Sequence, residues 1–198
     1  MTRRCILLLT IITLMMGFTQ AQTVKNDTTA LLLIDIQDFY FPGGFYPLVE
    51  PEAAAEQASR LLHYFRKEHM LVVHVKHAAS KDTLIRALVA PQVGETVITK
   101  HYANAFRKTN LLKVLTQHHI KQVVVCGMMT QMCVEATARA AADLGFDLIV
   151  IGDACATRDL IYDDDTIKAR DVHLSTLASL KGYYGKVIST DEYLKEIP

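Results

Sequence analysis

The chain has 198 residues, 51% of them hydrophobic, and its 21 basic side chains balance its 21 acidic ones. This length suits one globular domain with a sizeable core. A formal net charge of +0 argues against nucleic acid and anionic membrane surfaces as partners, because both are bound through clustered positive charge.

The N-terminus is predicted to be a cleaved leader. Arg3 and Arg4 precede an apolar run over residues 5–18, and the small residue Ala21 follows shortly after it. This pattern is typical of a secretory signal peptide. We therefore expect residues 1–21 to be removed and residues 22–198 to form the domain. The protein would then be exported to the periplasm or the medium without membrane attachment; a retained N-terminal anchor is the alternative.

Predicted strands and helices alternate along the rest of the chain. Apolar runs predict six strands, at residues 30–34, 70–76, 96–99, 123–126, 147–152 and 186–189. Helical spacing predicts helices at residues 51–69, 109–118, 131–144 and 166–180, a helical turn at 191–195, and an ambiguous segment at 77–91. This alternation predicts a three-layer α/β/α fold around a doubly wound parallel sheet of six strands in the order 3-2-1-4-5-6.

A cysteine follows the fourth predicted strand. Gly127 ends that strand, and Thr130 has a hydroxyl suited to capping the next helix, which Gly145 would end. Cys133 then falls in the first turn of a helix that leaves the carboxyl end of a strand. Backbone N–H groups and the helix dipole favour an anion there, so we expect an acidic and exposed thiol at Cys133.

Two charged residues are predicted to lie beside this cysteine. Asp35 follows the first strand, which neighbours the fourth strand in the predicted order, and Lys100 follows the third strand at the same edge of the sheet. Asp35 is a candidate general base, and Lys100 is a candidate cation that steadies both the carboxylate and a thiolate. The alternatives are a turn or helix-capping aspartate and a solvated surface lysine.

Other chemistry has little support in the sequence. There is no GxGxxG, Walker loop or C-x-x-C. Two pairs of histidines lack a carboxylate at metal-ligand spacing, His74 with His77 and His118 with His119. No metal site is therefore predicted.

Removal of the leader would also remove Cys5. Cys126, Cys133 and Cys155 would remain, and an odd number leaves at least one free thiol in an exported protein. Cys126 and Cys155 belong to or follow predicted strands and are most simply small core residues.

Three motifs resemble those of the isochorismatase-like cysteine hydrolases, the superfamily of nicotinamidases, carbamoylsarcosine amidases and ureidoacrylate amidohydrolases. They are Asp35-Ile36-Gln37-Asp38-Phe39, Lys100 ahead of Asn104-Ala105-Phe106, and Cys126-Gly127-Met128-Met129-Thr130-Gln131-Met132-Cys133-Val134. The resemblance extends over residues 28–195. The cysteine motif, together with the stretch at residues 153–159, is closer to the streptothricin-hydrolase-like and uncharacterised branches than to nicotinamidases.

The resemblance implies a catalytic triad of Asp35, Lys100 and Cys133. It also implies a cis peptide bond between Met128 and Met129, with the backbone N–H groups of Met129 and Cys133 forming an oxyanion hole. No cofactor is implied, and the family's dimers and tetramers make a homo-oligomer the expected state.

One departure from the family pattern concerns metal binding. Nicotinamidases carry Asp-x-His at the end of the second strand as metal ligands, whereas this chain has Val75-Lys76-His77. The resemblance therefore implies no metal, and His77 is interpreted as a pocket-wall or hydrogen-bonding residue. True isochorismatases can dispense with the cysteine, which this chain retains.

We therefore hypothesise a metal-independent amidohydrolase that cleaves an amide, ureido or lactam C–N bond of a small molecule through a thioester on Cys133. Six side chains are candidates for contacting the substrate: Gln37, Phe39, Tyr40, His77, Tyr102 and Phe106. Ordinary core packing is the alternative for Tyr40, Tyr102 and Phe106. Alternative functions are an exported thiol-redox protein using Cys133, an isochorismatase-type hydrolase of a non-amide substrate, and a catalytically silent small-molecule binder.

Overall fold

The structure, a computed structural model, describes residues 28–78 and 84–196. The predicted signal peptide lies outside the described residues, as do residues 79–83 of the segment that was ambiguous in sequence. Within the described part of the chain, no helix combines the length and the apolar character needed to cross a membrane.

A parallel sheet of six strands forms the centre of the fold, in the order β3-β2-β1-β4-β5-β8. Its strands are β1 (Thr29–Ile34), β2 (Leu71–His77), β3 (Thr96–Lys100), β4 (Gln122–Met128), β5 (Asp147–Ala156) and β8 (Lys186–Ile188). This confirms the predicted α/β fold and strand order, with β8 as the sixth strand of the sheet. Every residue of β1 is buried, because a central parallel strand is covered on both faces.

Helices cover the sheet. They are α1 (Pro51–Lys67), α2 (Leu111–Gln117), α3 (Glu135–Asp143), α4 (Ala169–Leu180) and α5 (Thr190–Glu196). The first helix begins with Pro51, whose missing N–H costs nothing in a first turn. It packs on β5 and on α5, while α3 packs on β5 and on α4. The core therefore lies between the sheet and its two helical layers.

The register of the sheet brings several strand ends to one edge. Ile34, the last residue of β1, pairs with Gly127 of β4, and His77, the last residue of β2, pairs with Lys100, the last residue of β3. Gly127 has a φ of +126°, and a Cβ atom there would collide with the Ile34 carbonyl oxygen. Only glycine therefore lets β4 approach β1 so closely at this edge.

Three local predictions needed correction. β5 continues to Ala156 instead of ending at residue 152, and its pairing with β4 shifts register at an irregularity. The next residues form a separate antiparallel hairpin, β6 (Leu160–Tyr162) and β7 (Asp165–Ile167), so α4 begins later than predicted. Within the segment at 77–91 that was ambiguous in sequence, the described residues include a single 3₁₀ turn, Ala87–Val89. The helix predicted at 131–144 is a π turn, Thr130–Val134, followed by α3.

Candidate active site

The Lys100 ammonium lies at the centre of a buried polar cluster. Its Nζ atom is 2.6 Å from Asp35 Oδ2, 3.3 Å from Cys133 Sγ and 3.2 Å from His77 Nδ1. The side chains of Lys100 and Asp35 are completely buried. The solvated-surface alternative for Lys100 is therefore wrong, and the sheet brings together the three residues predicted to lie at this edge.

Asp35 leaves β1 with a φ of +48°, a left-handed conformation that aspartate tolerates better than most residues. Its Oδ2 accepts the hydrogen bond from Lys100, whereas its Oδ1 is buried and has no hydrogen-bond partner among the described residues. Burial raises the pKa of the Asp35 carboxyl above its ordinary value, although the Lys100 charge lowers it. Asp35 therefore has a free, desolvated acceptor atom close to the thiol of Cys133.

Cys133 lies in the π turn between β4 and α3 and is only 3% exposed. Burial and the nearby Asp35 carboxylate raise the pKa of its thiol to about 12, although Lys100 lowers it. The expectation of an acidic and exposed thiol is therefore wrong for the protein at rest. The predicted cap is wrong as well, since the Thr130 hydroxyl bonds with His173 Nδ1 at 2.9 Å and makes no capping bond.

His77 has a defined tautomer. Because a lysine ammonium has only donors, His77 Nδ1 accepts the hydrogen bond from Lys100, which leaves the proton of the neutral ring on Nε2. Burial and the Lys100 charge lower the pKa of His77, which favours this neutral form. Gln37 fixes the backbone of His77, accepting from its N–H at 2.7 Å and donating to its carbonyl oxygen at 3.1 Å.

The same cluster has the composition of a metal site. Asp35, His77 and Cys133 each offer one ligand atom, and these atoms lie within 4.8 Å of one another. The Lys100 Nζ atom lies within 3.3 Å of all three residues and so occupies the position that an ion would need. A metal ion would have to displace a buried ammonium, so these residues fit a lysine better than a metal.

A cavity of about 420 Å³ opens above the cluster. Its walls include Phe39, Tyr40, His77, Met129 and Cys133, all five of which were predicted to contribute to the site. The peptide bond between Met128 and Met129 is cis, as the family resemblance implied. The cavity thus gives a small molecule access to the thiol and to the backbone around Met129.

The chain is similar in sequence and in structure to known proteins. The sequence profile of the isochorismatase domain matches residues 29–192, which is most of the chain. The chain belongs to the isochorismatase family. It is 41% identical over 179 residues to the uncharacterised isochorismatase family protein YddQ of Bacillus subtilis, a match that covers 85% of this chain and 99% of that protein.

Two further proteins resemble most of this chain. A crystal structure of an isochorismatase-type hydrolase from Oleispira antarctica is 44% identical, with a TM-score of 0.82, and the match covers 86% of this chain and 97% of that one. Maleamate amidohydrolase of Pseudomonas putida is 31% identical over 195 residues, covering 85% of this chain and 86% of that protein. The isochorismatase family thus includes an amidohydrolase among the relatives of this chain.

Three of the predicted substrate-contacting residues do not line the cavity. Gln37 is buried behind it and holds the His77 backbone. The Phe106 ring stacks on Phe146 with centroids 6.2 Å apart, and the Tyr102 ring lies 3.9 Å from the Arg107 guanidinium. The core-packing alternative describes Phe106 better than the pocket interpretation does.

Sequence reasoning missed Arg158, which lines the cavity. Its Nε atom is buried without a hydrogen-bond partner among the described residues, and its guanidinium lies 4.8 Å from the centre of the Tyr46 ring. The strand next to β4 was predicted to end at residue 152, whereas β5 continues to Ala156, two residues before Arg158, so the predicted strand end did not point to this residue. Phe45, Tyr46 and Met132 complete the missed part of the wall.

Proposed function

We propose that this isochorismatase-family hydrolase is a cysteine-dependent amidohydrolase of small amides that carry a carboxylate. The observation that carries the proposal is the buried Lys100 ammonium, which contacts both the Asp35 carboxylate and the Cys133 sulfur at the base of a cavity. A nucleophile, a base and a fixed positive charge are the groups that acyl transfer requires.

In the first step, the thiol proton of Cys133 passes to Asp35 Oδ1, the buried acceptor that has no other partner among the described residues. The raised pKa of the thiol means that a free thiolate is rare at neutral pH, so proton transfer accompanies attack of sulfur on the amide carbon. Lys100 stabilises the developing charge on sulfur while keeping its bond to Asp35 Oδ2.

The amide oxygen becomes an oxyanion as the S–C bond forms. We assign the N–H groups of Met129 and Cys133 as its donors, since both residues line the cavity at the nucleophile. Protonated Asp35 then gives its proton to the nitrogen as the C–N bond breaks, which releases ammonia or an amine and leaves a thioester. Water, deprotonated by Asp35, hydrolyses the thioester to a carboxylic acid and restores the thiol.

Arg158 supports a carboxylate-bearing substrate. Its guanidinium lines the cavity, and no carboxylate of the described residues forms an ion pair with it. A partly buried guanidinium without an acidic partner among the described residues is well suited to bind a carboxylate through paired hydrogen bonds. The relative named maleamate amidohydrolase gives a first substrate to test, because maleamate carries an amide and a carboxylate on four carbons.

The redox alternative gains no support from the described cysteines. Cys126 and Cys155 are buried in β4 and β5, and no disulfide joins the cysteines that the structure describes. Burial raises the pKa of Cys133, whereas a peroxide-sensing thiol needs a lowered one.

The first test measures ammonia release from maleamate, succinamate and the corresponding neutral diamides. We expect wild type to hydrolyse at least one monoamide and Cys133→Ala to lose activity, with an acyl mass on Cys133 in wild type quenched during turnover. Cys126→Ala is the matched control and should keep wild-type activity if the protein folds. Turnover by Cys133→Ala at the wild-type rate would contradict the mechanism.

The second test concerns Arg158. We expect Arg158→Gln to raise KM for the monoamide by about 10- to 100-fold, the equivalent of one charge-assisted hydrogen bond, with little change in kcat. The neutral diamide should be hydrolysed equally by both proteins. An unchanged KM for the monoamide would remove the carboxylate from the proposal but leave the cysteine mechanism standing.

A further inference from the structure

The π turn that carries Cys133 is attached at its start to two other elements. The Thr130 hydroxyl bonds with Nδ1 of His173, on α4, at 2.9 Å. The side-chain oxygen of the next residue, Gln131, accepts a hydrogen bond from the Thr157 hydroxyl, just after β5, at 2.6 Å. Thr130 is completely buried and Thr157 is 3% exposed, so water does not compete strongly for these bonds.

The attached residues lie between the two groups that stabilise the oxyanion in the proposed mechanism. Met129 precedes Thr130, and Cys133 comes three residues after it, in a turn whose Val134 N–H bonds back to the Met129 carbonyl oxygen at 3.2 Å. An oxyanion hole works only when its donors lie within a few tenths of an ångström of their working positions. The π turn is a single turn, so its own backbone bonds resist rotation weakly.

We propose that His173 is a positioning residue, which sets the oxyanion donors of Met129 and Cys133 by fixing Thr130. The inference rests on the proposed cysteine hydrolase function and goes beyond it. His173 does not line the cavity above Cys133, so it is not expected to contact the substrate. Its effect is therefore expected on kcat and not on KM.

A second cavity allows the inference to be tested by chemical rescue of a His173 variant. It measures about 470 Å³, and both His173 and Thr157 line it together with small residues such as Ala53, Ala156 and Ala169. Truncation of His173 to alanine would join the space of the lost ring to this cavity. Free imidazole could then enter and bond with the Thr130 hydroxyl from the position of the missing side chain.

The experiment compares His173→Ala, His173→Asn and Thr130→Val with wild type on the monoamide that wild type hydrolyses fastest. His173→Ala is expected to lower kcat by about 10- to 100-fold, the cost of a displacement near 1 Å, with KM within twofold. Imidazole at tens of millimolar should restore much of the loss. His173→Asn, which keeps a polar atom near the Nδ1 position, should retain most activity.

Thr130→Val should lose activity to a similar extent, and imidazole should not restore it, because the hydroxyl partner is absent. His118→Ala is the matched control, since His118 also bonds through Nδ1, to the Val114 carbonyl oxygen, but is exposed and distant in the fold. Alkylation of Cys133 by iodoacetamide should proceed at the wild-type rate in every variant, since it needs the thiol but no oxyanion donor.

Each outcome separates the two proposals. A wild-type protein that hydrolyses no amide would overturn the proposed function. If wild type is active and His173→Ala has the same kcat, the positioning role alone would be overturned. A loss that imidazole does not restore and that slows alkylation equally would also overturn it, because it would indicate damage to the whole site.

Discussion

The three N–H groups of the Lys100 ammonium match the three acceptors around it, Asp35, His77 and Cys133. Every donor is satisfied, which is the condition for keeping a charge in a fully buried site. Lys100 also opposes the effect of burial, since its charge lowers the pKa of both Asp35 and Cys133. A single side chain thus tunes both members of the proposed proton transfer.

This arrangement predicts the pH dependence of activity. Asp35 is needed as a carboxylate, so kcat/KM should fall as pH decreases through its pKa, which burial raises above the ordinary value of an aspartate. Lys100→Met removes the charge that lowers this pKa. We therefore expect at least a hundredfold loss of kcat/KM and an acidic limb displaced to higher pH.

The pH profile of kcat/KM measures both effects, with Lys76→Met as the control for losing a lysine from this part of the fold. Lys76 is only half-buried and lies on β2 next to His77. If the acidic limb of the Lys100→Met profile lies at the same pH as that of wild type, Lys100 does not lower the pKa of Asp35.

At the residue scale, the sequence predicted which side chains meet but not their ionisation. Asp35, Lys100 and Cys133 follow three strands whose order could be inferred, so their proximity was predictable. The state of the Cys133 thiol depends on how deeply the turn is buried, which no local pattern reports. Arg158 was missed because the predicted end of β5 came too early, which separated this residue from the edge of the sheet.

At the element scale, the sheet was predictable because its central strands β1 and β4 contain continuous apolar runs, whereas the connections were not. The Thr130–Val134 turn is followed by an alanine-rich helix, so its sequence looks like the start of an ordinary α-helix. What differs is its contacts with α4 and with the residue after β5, which the local sequence does not show. The strands of the β6–β7 hairpin have three residues each, which is too short for a strand period to be recognised in the sequence.

The close contact between β1 and β4 predicts that Gly127→Ala strongly destabilises the fold. A methyl group at Gly127 would collide with the Ile34 carbonyl oxygen one residue before Asp35, and the φ of +126° is unfavourable for alanine. We expect the free energy of unfolding to fall by about 3 kcal/mol or more, measured by urea denaturation.

Gly94→Ala is the matched control, because Gly94 also has a positive φ, +94°, but has open space where the methyl group would lie. Gly94→Ala should lower the free energy of unfolding by about 1 kcal/mol, because only the unfavourable backbone conformation contributes. Equal losses in the two variants would mean that close approach of the strands does not require the glycine.

At the scale of the whole molecule, the distribution of thiols is compatible with the predicted export. Cys126, Cys133 and Cys155 are all free and at most 6% exposed. Burial raises the pKa of each of these thiols, which slows the thiolate chemistry that forms disulfides. Within the described part of the chain, the fold thus protects Cys126 and Cys155, which do not line the cavity above Cys133.

Export itself gives the last prediction. If residues 1–21 are a signal peptide, the protein recovered from the periplasm or medium of a bacterial host should begin at Gln22, by intact mass and N-terminal peptide analysis. Ala21→Arg should block processing, because the cleavage site requires a small residue, whereas Lys25→Ala should not. A chain starting at Gln22 should keep full activity, since β1 begins only at Thr29. Recovery of full-length protein from the cytoplasm alone would contradict export and leave the proposed catalytic site unaffected.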